Sequence, residues 1–338
     1  MALDVFLLIV MLLVILAAAI VFTNAVEWFG HRLGVGEGVT GSIFAAVGTT
    51  LPETVIPLVA VFSGGESGHE VAVGSILGAP LILATLAMFM MAVAVIGLAL
   101  RGRRDSHFNV NQSIVSRDLF FFVIVYVLAI GAALIDSRSI KIVIAVILAL
   151  CYVLYVWLHV KAGDDSHGEA PELGPLWFQR GAESPKLIFI ALQLVFALGL
   201  IVGGAHIFVH SVQTVSHALG MSTLILALFI VPLASELPEK FNSVIWVFQK
   251  KDTLAFGNIS GAMVWQSSVV PIIGIVLTDW ALTSESAPAF ISAGVSLAAA
   301  VLIGLAMRMW GRLSALWVLA VGGVGYFGYL AYIIATQL

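Results

Sequence analysis

Charge is scarce in this sequence. Only 10% of its 338 residues are Asp, Glu, Lys or Arg, against 61% apolar, and the mean hydropathy is +1.11. A soluble domain of this length cannot carry so little polarity, so the chain reads as a polytopic membrane protein. Cysteine is scarcer still. Cys151 stands alone in an apolar run, which excludes an internal disulfide and any Cys-based metal centre. The N-terminal Met-Ala-Leu-Asp lacks the basic n-region of a signal peptide, and the apolar stretch behind it is long enough to span, so it reads as a retained helix. No His-Glu-x-x-His zinc motif and no Gly-x-Ser-x-Gly nucleophile turn is present, which leaves an intramembrane enzyme only paired carboxylates to work with. The net charge of −4 says little about partners. Nothing points to nucleic acid, to a cofactor or to an obligate protein partner, and the lipid bilayer is the expected surrounding.

What is present in abundance is apolar runs of spanning length, at about 3–24, 38–62, 71–100, 119–135, 140–160, 187–212, 222–248, 254–277, 288–308 and 313–335. The expected fold is all-α, with ten transmembrane helices. The longest hydrophilic stretch, 161–186, falls between the fifth and sixth runs and reads as a linker without chemistry of its own, dividing the chain into 1–160 and 187–338. Of the 15 basic residues, twelve fall in the connections of one side and only Arg138 and Lys141 in those of the other. Positive charge is retained on the cytoplasmic side, so both termini are expected outside a plasma membrane crossed many times.

The second run is interrupted by Gly48-Thr49-Thr50-Leu51-Pro52-Glu53. Proline has no N–H, so Pro52 bends the chain and deprives the Gly48 carbonyl of its helical partner, while a charged Glu53 is expensive in hydrocarbon. Thr49 and Thr50 share the helix face of Glu53. Hydroxyl, carboxylate and carbonyl oxygens converging at membrane depth suit a hard cation. A proline kink with a protonated or paired glutamate accounts for this stretch taken alone. The pattern recurs, however, as Ala234-Ser235-Glu236-Leu237-Pro238-Glu239.

At an offset of 186 residues, His31, Gly34 and Leu51-Pro52-Glu53 match His217, Gly220 and Leu237-Pro238-Glu239, and at an offset of 183, Ala72, Gly74 and Gly78 match Ala255, Gly257 and Gly261. Two repeats of five helices each must enter the membrane from opposite sides. Inverted repeats with interruptions at corresponding places point to a secondary transporter with a midplane ion site.

These motifs resemble those of the calcium/cation antiporter superfamily, the sodium/calcium exchangers. That family has a Gly-Thr-Ser-Leu-Pro-Glu-like motif in each repeat, followed by a Gly-Asn-x-x-Gly-Ser-Asn-like motif. The latter stands here as Gly74 to Pro80 and Gly257 to Met263. The resemblance implies a central cation site on helices 2, 3, 7 and 8, with helices 1 and 6 sliding across it to alternate access. It places Glu53 and Glu239 on the carboxylate ligands, Thr49, Thr50 and Ser235 on hydroxyl ligands, Gln266 on a ligand of helix 8, and Gly48 and Ala234 at the head of each motif. The family's side-chain ligands on helices 3 and 8 align with Ala79, Leu83 and Ala262, which cannot coordinate. Ser75 is then the main hydroxyl of helix 3, or part of a close-packing face with Gly74 and Gly78.

Glu236 stands where the family has serine. Glu236, Glu239 and Lys240 fit within about 100° of the helix surface. Glu236 either binds an ion or pairs with Lys240, whose alternative is to face water. Calcium is the expected substrate, and sodium and protons are both open as counter-ion, because a proton needs only one suitably placed carboxylate. His206 and His210 have the i, i+4 spacing of a metal-ligand pair, but no acidic partner on their helix completes a set, which favours polar lining of a pathway or interior hydrogen bonding. Asn24 and Glu27 either line an entrance or cap the first helix. Gly203-Gly204 and the glycines from Gly322 to Gly328 are expected to pack helices, and Trp157, Trp177, Trp280, Trp310 and Trp317 to anchor at the interface. A cation-binding membrane protein that has lost exchange is the remaining alternative.

Overall fold

The computed structural model describes residues 2–32, 50–63, 65–162, 174–182 and 184–337, without the side chains of 160, 162 and 237–239. The chain runs α1 (Ala2–Arg32), α2 (Leu51–Phe62), α3 (Gly65–Leu100), α4 (Gln112–Gly131) and α5 (Arg138–Ala162), then α6 (Leu187–Leu219), α7 (Thr223–Phe248), α8 (Asp252–Leu277), α9 (Ala287–Trp310) and α10 (Ala315–Gln337). Among the described residues, 8 helices are long and apolar enough to cross a membrane, with Leu51–Phe62 as a shorter apolar helix and α7 apolar over Thr223–Glu236. The two short ones carry the acidic motifs.

Burial is unequal among the spans. In α3 and α8 67% of the most apolar window is buried, against 17% in α1, which puts α3 and α8 at the centre and α1 at the rim. Glycine permits the central packing. A Cβ on Gly74 would lie 2.5 Å from the Leu224 carbonyl oxygen, and one on Gly78 would press still closer on that of Leu228, so α3 and α7 meet backbone to backbone. Ser75 donates to the Ala72 carbonyl at 2.9 Å within this face. Beyond Pro80, which cannot continue the α-helical ladder, α3 widens into a π-helical segment at Ile82–Ala87. Gly322 and Gly325 of α10 pack on Thr85 there, whereas Gly203 and Gly328 have nothing within 4 Å.

Helices α4 and α5 pack on α8, α9 and α10 pack on α3, and α1 lies along α6. A separate apolar cluster joins α1, α2 and α6 to the starts of α3 and α7, with Ile15, Ile56, Val71, Phe208 and Val231 at its core. Gln193 of α6 donates to the Val21 carbonyl at 2.8 Å and to Asn24 Oδ1 at 3.0 Å, so Asn24 serves the α1–α6 contact. Part of the linker docks there too, with Leu176 fully buried and Trp28 Nε1 donating to the Gly174 carbonyl at 2.8 Å.

Several boundaries differ from those expected. α4 starts at Gln112, not near 119, because Asn111 caps it, its Oδ1 accepting from the amides of Ser113 at 3.0 Å and Ile114 at 3.4 Å. Residues 313–314 belong to a two-stranded ribbon with His107–Phe108. Trp280 is 1% exposed and not an interfacial anchor. Its Nε1 donates to the Ala129 carbonyl at 2.8 Å and its ring lies against Gly274, an arrangement that holds its backbone at φ 39°. Arg138 and Lys141, the two basic residues on the sparsely charged side, are likewise occupied. Arg138 donates to the carbonyls of Ile275 and Val276, and Lys141 to those of Asp279 and Trp280, which satisfies the end of α8. At the other end of α8, Asp252 accepts from Arg104 at 2.9 and 2.5 Å and from the Asn109 amide at 2.7 Å. The bond to Asp252 raises the Arg104 guanidinium above its ordinary value.

Candidate cation site

Three helices bring polar groups together inside the apolar body. α2 begins with Pro52 in its first turn, where a missing N–H breaks no helical bond. The part of the run before Thr50, with the Gly48 carbonyl that the expected bend would free, lies outside the described residues. Glu53 follows Pro52 at once and, like Thr50, is 6% exposed. The Thr54 hydroxyl donates to the Thr50 carbonyl at 2.9 Å and accepts from Trp265 Nε1 of α8 at 3.3 Å. The residue next to Trp265 is Gln266, whose Nε2 donates at 2.8 Å to Oε1 of Glu236 on α7. Oε2 of Glu236 accepts from Lys240 Nζ at 2.9 Å. Neighbouring residues thus link the helix of Glu53 to Glu236 by way of α8.

Of the two alternatives left open for Glu236, the geometry has the pairing: carboxylate and ammonium are each 1% exposed and one helical turn apart. Gln266 adds a neutral donor, so the pair is both charge-compensated and hydrogen-bonded, the condition under which buried charges are tolerated. Close by in the sequence, Ser235 Oγ is buried, and neither it nor Gln266 Oε1 has a hydrogen-bond partner among the described residues. An unmet buried oxygen costs about 1–3 kcal/mol. Hydroxyl and amide oxygens beside carboxylates are a donor set that a hard cation can satisfy.

Gly48 and Thr49 lie outside the described residues, and of Glu239 only the helical backbone is described. Ala234 is half-buried on α7, and Ala79, Leu83 and Ala262 stand on α3 and α8 without side-chain donors. Ser75 belongs to the close-packed face. His206, His210 and His217 are exposed, not interior, and His206 Nδ1 is 3.5 Å from Ser63 Oγ. No group of three or more His, Cys, Asp or Glu able to hold a metal occurs among the described residues. The sequence reading missed the π-helical segment, Trp265 and Thr54. Trp265 and Thr54 each stand beside a motif residue, which was the available signal.

Against known families, the sodium/calcium exchanger protein model matches residues 3–161 and 189–335. The chain belongs to that family. Members are exchangers rather than enzymes, and this one is a multi-pass integral membrane protein. It is 26% identical over 312 residues to the inner membrane protein YrbG of Escherichia coli (strain K12), a match covering 90% of this chain and 88% of that one. Its fold is similar to the crystal structure of the H+/Ca2+ exchanger CAX, with a TM-score of 0.71, 16% identity and coverage of 98% of this chain and 86% of that one. It is also similar to the sodium-calcium exchanger NCX_Mj, with a TM-score of 0.57, 16% identity and coverage of 100% and 99%.

Proposed function

We propose that this exchanger-family protein is a secondary antiporter that moves calcium, or another small cation, against a counter-ion by alternating access at a site centred on Glu53 and Glu239. The observation that carries the reading is the buried polar cluster where α2, α7 and α8 meet in an otherwise apolar body, with Ser235 Oγ and Gln266 Oε1 as unmet oxygens among the described residues. Thr49, Thr50, Ser235 and Gln266 are assigned to the cation's remaining coordination, with backbone oxygens of the segments headed by Gly48 and Ala234.

The chain is taken as ten spans in two inverted repeats, 1–160 and 187–338, joined by a cytoplasmic linker at 161–186, with both termini outside and the plasma membrane as location. Packing supports this: α4 and α5 of one half cover α8 of the other, while α9 and α10 cover α3. The length of α1 lying along α6, with Gln193 bonded to Val21 and Asn24, supports their movement as a unit.

Sodium is the counter-ion of the first reading. A proton-coupled reading is favoured by one specific observation: Lys240 already neutralises Glu236, so the site has fewer charges to spend on several sodium ions at once. The deciding experiment is uptake of radioactive calcium into proteoliposomes, driven in parallel by outward sodium and outward proton gradients. Uptake with sodium alone supports the first reading, and uptake with protons alone the second. Calcium binding without uptake under either gradient would leave a cation-binding protein without exchange.

A further inference from the structure

Apart from the cation site, α4, α5 and α8 meet around one carboxylate. Asp118 of α4 is 1% exposed. Its Oδ1 accepts from the Tyr155 hydroxyl at 3.0 Å and lies 3.1 Å from His159 Nε2, both on α5, while its Oδ2 is 2.5 Å from Ser260 Oγ on α8. Two backbone contacts complete the set. His159 Nδ1 is 3.1 Å from the Tyr155 carbonyl oxygen, and Ser260 Oγ is 2.9 Å from that of Phe256.

The protons of this cluster do not balance in the ordinary state. A neutral imidazole has one N–H, yet both ring nitrogens of His159 face oxygen acceptors. A serine hydroxyl has one proton, yet Ser260 faces a carboxylate oxygen and a carbonyl oxygen. With Asp118 ionised and His159 neutral, each place sets acceptor against acceptor. A proton added to the imidazole resolves the first. A proton on Asp118 Oδ2 resolves the second, since it is donated to Ser260 Oγ while that hydroxyl donates to Phe256; 2.5 Å is within the range of an O–H···O bond.

We propose that Asp118 and His159 form a proton-binding site, separate from the cation site, which holds at least one proton beyond the ionised-carboxylate, neutral-imidazole state and ties α8 to α4 and α5 while it does. Other titratable or charged groups beside it are Arg117 on α4 and Tyr152 and Tyr155 on α5; from α8 the cluster receives the neutral Ser260. The His159 side chain is 11% exposed and that of Asp118 2%, so the imidazole is where protons enter and leave. Loss of the proton sets acceptors against each other and loosens α8, the helix that also carries Gln266. Proton binding here is independent of which ion is carried, and of exchange.

The test uses the full chain, labelled with 15N-histidine, in lipid nanodiscs at neutral pH. His159→Gln assigns the ring signals, and infrared spectra of wild type and Asp118→Asn show whether a carboxylic-acid C=O band belongs to Asp118. The expected result is either two protonated ring nitrogens on His159, one of which is lost in Asp118→Asn, or a carboxylic-acid band absent from Asp118→Asn. Should Asp118→Asn fail to fold, Ser260→Ala replaces it, and the expected result becomes a shift of that band or an imidazolium in wild type. A neutral His159 together with no band attributable to Asp118 overturns the proposal.

Discussion

Replacing Lys240 by Met removes an ammonium but little volume. Lys240 and Glu236 are each 1% exposed and 2.9 Å apart, so the variant strands a buried carboxylate. Removing one member of such a pair costs about 3–5 kcal/mol. Gln266 still donates to Glu236 at 2.8 Å, and a bond to a charged acceptor retains roughly 1.5–3 kcal/mol, which places the loss near the lower end, about 3 kcal/mol. Adding Glu236→Gln removes the stranded charge, and the double variant is expected to recover most of that loss, as neutral replacements of buried pairs do. The uncompensated carboxylate of Lys240→Met should also attract an external cation. Binding at a hundredfold excess over Kd returns about 2.7 kcal/mol. The assay is thermal unfolding of purified protein with and without calcium or sodium. Lys240→Met should unfold at a lower temperature than wild type and regain more of it with cation than wild type gains. Lys240→Met that matches wild type and ignores cations, or a double variant as unstable as the single one, refutes the reasoning.

Helix packing and the loop clamp each carry a prediction of their own. Gly78→Ala drives a methyl group into the Leu228 carbonyl oxygen, which backbone cannot yield without separating α3 from α7; a loss of about 1–3 kcal/mol is expected in thermal unfolding, where Gly97→Ala, with open space around it, should be near neutral. Asp252→Asn leaves Arg104, whose side chain is 7% exposed, without its carboxylate, and should lower stability by about 3 kcal/mol and increase proteolysis of the 101–111 loop.

The sequence makes the acidic interruptions legible because proline and glutamate are costly in hydrocarbon, so Glu53 and Glu236 advertise themselves. The glycine face of α3 was legible for the same kind of reason, as spacing alone puts Gly74 and Gly78 on one side. Pairing across distant chain was not. The apolar run begins at 119, so Asp118 falls just outside it, and only the Asn111 cap shows that the helix begins earlier. Its partners Tyr155 and Ser260 are 37 and 142 residues away. Trp280 looks like an anchor until Gly274 and Ala129 are seen to hold it. The π-helical turn at Ile82–Ala87 follows Pro80, but a proline by itself reads as a bend and not as a widened turn.

The central claim, that Glu53 and Glu239 carry the transported cation, is tested most directly by gradient-driven calcium uptake into proteoliposomes containing wild type, Glu53→Gln or Glu239→Gln, with folding of each verified by its elution profile. Uptake in wild type and its loss in both variants is the predicted result. Uptake that persists in either variant at the wild-type rate would contradict the account.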